Sequence, residues 1–273
     1  MTDTTLRGRD LLALADLSPA EVRLVLDTAR SQQAAWAAGD RTRPLDGLSV
    51  ALIFEKPSMR TRISFEVACA RLGATPVVLG GGDTVFSRGE TVYDTTSVLE
   101  RYCDAIVIRT FQQAKADQIA HIARVPVINS LTDDHHPCQG LADLLTIEEH
   151  LGGLAGRTLA YVGDGNNMAH TYLEAGALTG MHVRIAAPAG YGPSAAIVER
   201  AMRIAASTGA VLEITSDPIA AVTGADVVAT DTWASMGQED EHAARVAAFA
   251  PFRVDDALMA HAAKGAIFMH CLP

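Results

Sequence analysis

The chain has 273 residues, 49% of them hydrophobic and 20% charged, the balance of an ordinary globular protein with room for one large core or two smaller ones. Its formal net charge is −10, which excludes a general nucleic-acid binder relying on a basic surface. Any anion it holds must therefore meet a local cluster of donors.

Taken in chain order, Ser18-Pro19-Ala20-Glu21 has the form of a capping box with proline at the first helical position. A helix is expected from there to about Ala38, with Gly39 as its stop. Short apolar runs then alternate with helical patterns. Strands are expected at Leu48–Phe54, Pro76–Leu79, Ala105–Ile108 and Pro126–Asn129. Helices are expected between them, over Met59–Leu72, Thr91–Tyr102 and Gln112–Ala123. A longer helix, His136–His150, leads to Gly152-Gly153, and a second series follows. Its strands are expected at Thr158–Val162, Val183–Ala187, Val211–Thr215, Val227–Thr230 and Ala266–Met269. Continuous apolar strands separated by helices imply parallel sheets covered on both faces. The expectation is an α/β protein of two doubly wound domains, 1–150 and 151–273, joined by a helix. Ligands would bind in the cleft between them, at the carboxyl ends of the strands.

The amino terminus lacks a basic stretch followed by an apolar one, so no signal peptide is expected, and no apolar run reaches the length of a membrane span. Cys69, Cys103, Cys138 and Cys271 are scattered, which suits reduced thiols in a cytoplasmic protein.

The polar motifs fall at strand ends. Glu55-Lys56-Pro57-Ser58-Met59-Arg60-Thr61-Arg62 joins a strand to a helix N-terminus, where free N–H groups and the helix dipole favour an anion. Arg60 adds a planar fork suited to phosphate, and Ser58 and Thr61 add hydroxyls; a solvated or capping charge is the plainer role for Arg60. Arg62 stands four residues before Glu66, the spacing of an intrahelical ion pair. Arg109 ends its strand, facing either the cleft or solvent. In His135-His136-Pro137-Cys138-Gln139, His136 and Gln139 share a helix face and can donate to a carbonyl oxygen. A metal held by His135, His136 and Cys138 is a poor fit, because adjacent residues do not converge on one ion. Gly163-Asp164-Gly165-Asn166-Asn167-Met168 suggests a dinucleotide turn but lacks its third glycine and its strand-end acid. Asn167 either caps the following helix or holds an amino-acid head group. Asp231-Thr232-Trp233-Ala234-Ser235-Met236-Gly237-Gln238 and His270-Cys271-Leu272-Pro273 follow two further strands. Asp231 as a turn former and Cys271 as a plain buried thiol are their simplest roles.

In order and over nearly the whole chain, these motifs resemble the ornithine carbamoyltransferases. The phosphate loop and His-Pro-x-Gln are shared with aspartate carbamoyltransferases, whereas Ser-Met-Gly and His-Cys-Leu-Pro favour ornithine as acceptor. The resemblance implies that carbamoyl phosphate binds the first domain through Ser58, the Met59 backbone, Arg60 and Thr61. Arg109, His136 and Gln139 would lie at its carbonyl end. L-Ornithine would bind the second domain through Asn167, Asp231, Ser235 and Met236. Asp231, Cys271 and the Leu272 carbonyl would orient the reacting δ-amine. The product would be L-citrulline, made for arginine biosynthesis by a homotrimer needing no metal or organic cofactor.

Three departures from the family pattern bear on these expectations. Met59 replaces a threonine, Val85 stands where the family commonly has a glutamine that reaches the neighbouring subunit's carbamoyl phosphate, and the sequence stops at Pro273, before the family's final helix and its arginine. A weakly active or non-catalytic ligand-binding relative therefore stays open, as does a carbamoyltransferase using another amine, and residues 1–273 alone are expected to transfer little carbamoyl.

Overall fold

The computed structural model describes residues 6–80, 89–233 and 242–272. The chain divides into two compact units, Met1–Cys138 and Gln139–Pro273. The division falls in the first turn of a helix, Pro137–Leu151, so most of that helix belongs to the second unit. The boundary expected near Leu151 lies at the far end of the same helix.

The first unit runs α1 (Pro19–Ala37), β1 (Ser49–Phe54), α2 (Met59–Leu72), β2 (Thr75–Gly80), α3 (Val92–Tyr102), β3 (Ala105–Arg109), α4 (Gln113–Ile122), β4 (Val127–Leu131) and the start of α5 (Pro137–Leu151). The capping box forms as expected. Ser18 Oγ accepts from the Glu21 N–H at 3.3 Å, and a Glu21 carboxylate oxygen accepts from the Ser18 N–H at 2.7 Å. All strands are parallel, in the order β2-β1-β3-β4. Ala51, Ile53, Ile106 and Ile108 pack on one face with Ile119, and Val50, Leu52, Phe54 and Val107 on the other with Cys69. Each such buried valine, leucine, isoleucine or phenylalanine contributes about 1.5–3 kcal/mol. The edge strand β2 departs from the expected two-sided burial, since Thr75 and Val77 are exposed. β1 and β3 lie side by side but lead to connections on opposite sides of the sheet. Their carboxyl ends form the switch point where such sheets hold ligands.

The second unit contains β5 (Thr158–Val162), α6 (Asn167–Thr179), β6 (His182–Ala186), α7 (Ala195–Thr208), β7 (Leu212–Thr215), α8 (Pro218–Val222), β8 (Val227–Thr230), α9 (His242–Phe249), α10 (Asp256–Met259) and β9 (Ile267–His270). Its sheet is also parallel, in the order β7-β6-β5-β8-β9, with the switch point between β5 and β8. α6 is buried on all faces from Met168 to Leu178. Gly176 lets it approach β6, because a Cβ there would meet Val183 Cγ2 at 2.3 Å. Among the described residues, no helix is long and apolar enough to cross a membrane.

Candidate active site

In the first unit the site grows from the N-terminus of α2. Ser58 is its N-cap, with Oγ accepting from the Thr61 N–H at 3.4 Å. Thr61, in the third helical position, is thus oriented by the cap. Arg109, the last residue of β3, is buried and donates from Nη1 to Thr61 Oγ1 at 3.2 Å. Since that oxygen is accepting, the threonine proton is free to point elsewhere. His136 precedes α5. Burial, reinforced by the Arg109 charge, pushes its imidazole down to about 3, so the ring is neutral at working pH.

The loop after β1 is fixed by its own charges. Glu55 accepts from Lys115 Nζ at 2.7 Å and from the Thr110 hydroxyl. Lys56 is buried, paired with Asp133, and sits 4.4 Å over the Phe111 ring. Arg62 pairs with Glu66 at 2.6 Å, as their spacing implied. Arg60 is exposed at the helix start. A cavity of about 610 Å³ opens beside this turn, lined by Phe54, Pro57, Ser58, Met59, Ile63 and Val78.

In the second unit the site forms at the β5/β8 switch point. The cap of α6 is Asn166 rather than Asn167. Its Oδ1 accepts from the Met168 N–H at 3.0 Å and from the Tyr161 hydroxyl at 3.4 Å. Asn167 is the first helical residue, because the capping geometry is met one position earlier. Asn166 Nδ2 donates to Asp231 Oδ2 at 3.4 Å, and Asp231 Oδ1 accepts from the Cys271 thiol at 2.9 Å and the Thr232 N–H at 2.6 Å. Asp231 is therefore more than a turn former. Burial, then the Asp231 charge, pushes the Cys271 thiol well up, which keeps it a neutral donor. The same causes in the same order, with a further push from Asp164, raise Tyr161.

Gln139 lies on α5, and its Nε2 donates to Asp143 Oδ1 at 3.0 Å. Asp143 Oδ2 accepts from the Tyr172 hydroxyl at 2.8 Å. Tyr172 packs its ring 5.7 Å from that of Tyr161. Behind the site, buried Arg245 pairs with buried Asp164 at 2.7 Å and donates to the Trp233 carbonyl at 3.1 Å. Its guanidinium lies 5.1 Å from the Tyr191 ring, which meets Phe249 edge-on at 5.0 Å. Gly165 fits where nothing larger does. Its N–H donates to the Tyr191 carbonyl at 2.8 Å, and a Cβ there would lie 2.2 Å from the Gly192 carbonyl carbon.

Ser235, Met236 and Val85 lie outside the described residues. Leu272 is exposed, with its N–H donating to His270 Nδ1 at 2.9 Å. Among the described residues, the three groups near enough to share an ion are Asp231, His270 and Cys271, with candidate ligand atoms within 4.8 Å of one another. His135, His136 and Cys138 are not such a group. Cys138 instead donates to the Asn129 carbonyl at 3.5 Å, and burial pushes its thiol up to about 12. Sequence reasoning missed Asn166, Asp143, Tyr161, Tyr172, His270 and the Arg245–Asp164 pair. Asp143 alone had a readable signal, its position one helical turn after Gln139.

Comparison with known proteins bears on both units. Residues 9–149 match the carbamoyl-P binding domain of aspartate/ornithine carbamoyltransferases, and residues 155–273 match their Asp/Orn binding domain. The ornithine carbamoyltransferase of Anoxybacillus flavithermus is 51% identical over 98% of this chain and 85% of its own length. That of Acidothermus cellulolyticus is 54% identical over 97% and 84%. The structure of ornithine carbamoyltransferase from Pyrococcus furiosus superposes with a TM-score of 0.96 at 46% identity, covering 99% of this chain and 86% of that one.

Proposed function

We propose ornithine carbamoylation for this chain, which belongs to the aspartate/ornithine carbamoyltransferase family. It is an enzyme that transfers the carbamoyl group of carbamoyl phosphate to the δ-amine of L-ornithine, giving L-citrulline and phosphate. Identity above 50% across nearly the whole chain favours this over a non-catalytic relative.

The single observation that carries the chemistry is Arg109 reaching Thr61 at the capped start of α2. One buried cation is thereby held against the helix end suited to phosphate. In this proposal Ser58, the Met59 N–H, Arg60 and Thr61 bind the phosphoryl group. Arg109, Thr61 and neutral His136 face the carbonyl oxygen. Asn167, Asp231, Ser235 and Met236 hold ornithine, while Asp231, Cys271 and the Leu272 carbonyl orient its δ-nitrogen. The deprotonated amine attacks the carbonyl carbon. Negative charge that builds on the oxygen meets preplaced donors, each worth roughly 3–4 kcal/mol in comparable sites. The C–O bond to phosphate then breaks, the phosphate departs with the bonding pair, and the amine's proton passes to an oxygen of that departing phosphate. Holding both substrates together supplies much of the remaining acceleration.

A homotrimer is part of the same proposal. It is supported by an apolar stripe on α2, where Met59 (71% exposed), Ile63 and Val67 recur every four residues. A role in arginine biosynthesis and a cytoplasmic location also belong to it, the latter supported by four free cysteines. The test is direct product analysis with ornithine and aspartate as competing acceptors. Citrulline should dominate; carbamoyl-aspartate as the main product, or transfer to amines lacking an α-carboxylate, would refute the assignment.

A further inference from the structure

Gln139 can offer a ligand either face of its amide, donor or acceptor, unless something holds it. Asp143 supplies the hold. It lies one helical turn away, and its ionised carboxylate only accepts. The amide must therefore turn its nitrogen to Asp143, at 3.0 Å, and its oxygen away. Asp143 is in turn fixed. It is buried, and its second oxygen receives the Tyr172 hydroxyl at 2.8 Å. Tyr172 is itself fully packed on α6 against Tyr161.

We propose that Asp143 is a positioning residue which locks the Gln139 amide with Oε1 outward, so that the pair selects a substrate bearing N–H beside its carbonyl over an acyl phosphate bearing methyl there. This rests on the assignment of Gln139 to the carbamoyl phosphate site. It also changes the role expected for Gln139. One amide N–H is committed to Asp143, and the oxygen is the group turned away from that carboxylate. It accepts from the carbamoyl –NH₂, leaving the carbonyl oxygen to Arg109, Thr61 and His136.

The probes are carbamoyl phosphate and acetyl phosphate, the second differing by a methyl group in place of the amino group. Their dissociation constants are measured by calorimetry for the parent chain, Asp143→Asn, Tyr172→Phe, Gln139→Ala and the Asp143→Asn/Gln139→Ala pair. Asparagine presents an NH₂ as well as an oxygen and no longer dictates the amide's orientation. Asp143→Asn and Gln139→Ala should each weaken carbamoyl phosphate about tenfold, the scale of one hydrogen bond, and the pair no more than either alone. Acetyl phosphate should change less than about twofold, because it makes no such bond. Tyr172→Phe, which keeps the ring, should lower discrimination in the same direction by about two- to threefold. Unchanged discrimination in Asp143→Asn and Tyr172→Phe, with loss in Gln139→Ala, would overturn the positioning role alone. Equal weakening of both ligands in Asp143→Asn would also overturn it, by showing general structural support. No loss of discrimination in Gln139→Ala would overturn the underlying assignment of Gln139, and the proposal with it.

Discussion

Acidification should pull the stabilities of the two units in opposite directions. In the first unit, burial and Arg109 push His136 from the usual 6.5 down to about 3. As the pH falls through that window, the unfolded chain binds a proton that the native unit refuses, so stability is lost. The full gap amounts to about 5 kcal/mol at about 1.4 kcal/mol per pH unit. His136 keeps some solvent exposure, and with that screening a loss of about 2–3 kcal/mol is expected. In the second unit, burial pushes Asp143 from 3.8 up to about 6, against the hydrogen bonds from Tyr172 and Gln139. There the native unit takes its proton first, so stability rises as the pH falls from about 6 to about 3.8, by up to about 3 kcal/mol. The chain's two tryptophans report the units separately, since Trp36 lies in the first and Trp233 in the second. Urea unfolding of Trp233→Phe and Trp36→Phe chains, followed by fluorescence between pH 4.5 and 7.5, isolates each transition. Other groups titrate in this range, so the decisive comparison is with His136→Asn in the first background and Asp143→Asn in the second. His136→Asn should reduce the acid loss, and Asp143→Asn should abolish the acid gain. Curves that stay parallel to the parent in either background would refute the corresponding argument.

Three other outcomes are expected. Arg60→Ala should weaken carbamoyl phosphate by about 1.5–3 kcal/mol, as for loss of a charged hydrogen bond, and unchanged affinity in a binding titration would remove Arg60 from the phosphate site. Arg245→Met should destabilise the second unit by about 3–5 kcal/mol, because it strands the buried Asp164 carboxylate; adding Asp164→Leu should recover much of this in the same urea assay, and no recovery would contradict the pairing. The Cys271 thiol should resist iodoacetamide near pH 8 and react faster in Asp231→Asn, as read by mass spectrometry; equal rates would contradict its bond to Asp231.

Much of this architecture was legible because its signals are local. Apolar runs bounded by turns marked the nine strands of the described residues to within one or two positions, and Ser18, Glu21 and Gly39 marked the ends of α1. Arg109 and Asp231 were picked out by lying at strand ends, where parallel sheets gather ligands. What escaped depends on pairing across long sequence distances. Nothing near Tyr161 or Tyr172 indicates that one hydroxyl serves Asn166 and the other Asp143. Arg245 reads as an ordinary charge on a short helix until folding buries it against Asp164, 81 residues away. The shift from Asn167 to Asn166 as the cap has another cause, since adjacent asparagines carry the same propensity and only backbone geometry separates them.

The fit around Gly165 constrains how the two turns that meet there can be exchanged. The turn after β5 and the turn before α7 meet backbone to backbone, with no side chain between them to absorb a change of shape. One turn carries Asn166 and Asn167; the other carries Tyr191, which braces Arg245. A graft of residues 163–168 that brings any side chain to position 165 will therefore seat only with a matching change in the 188–194 segment. The two segments then act as one exchangeable part, and a library that varies position 165 without the facing turn will lose the members that carry a side chain there.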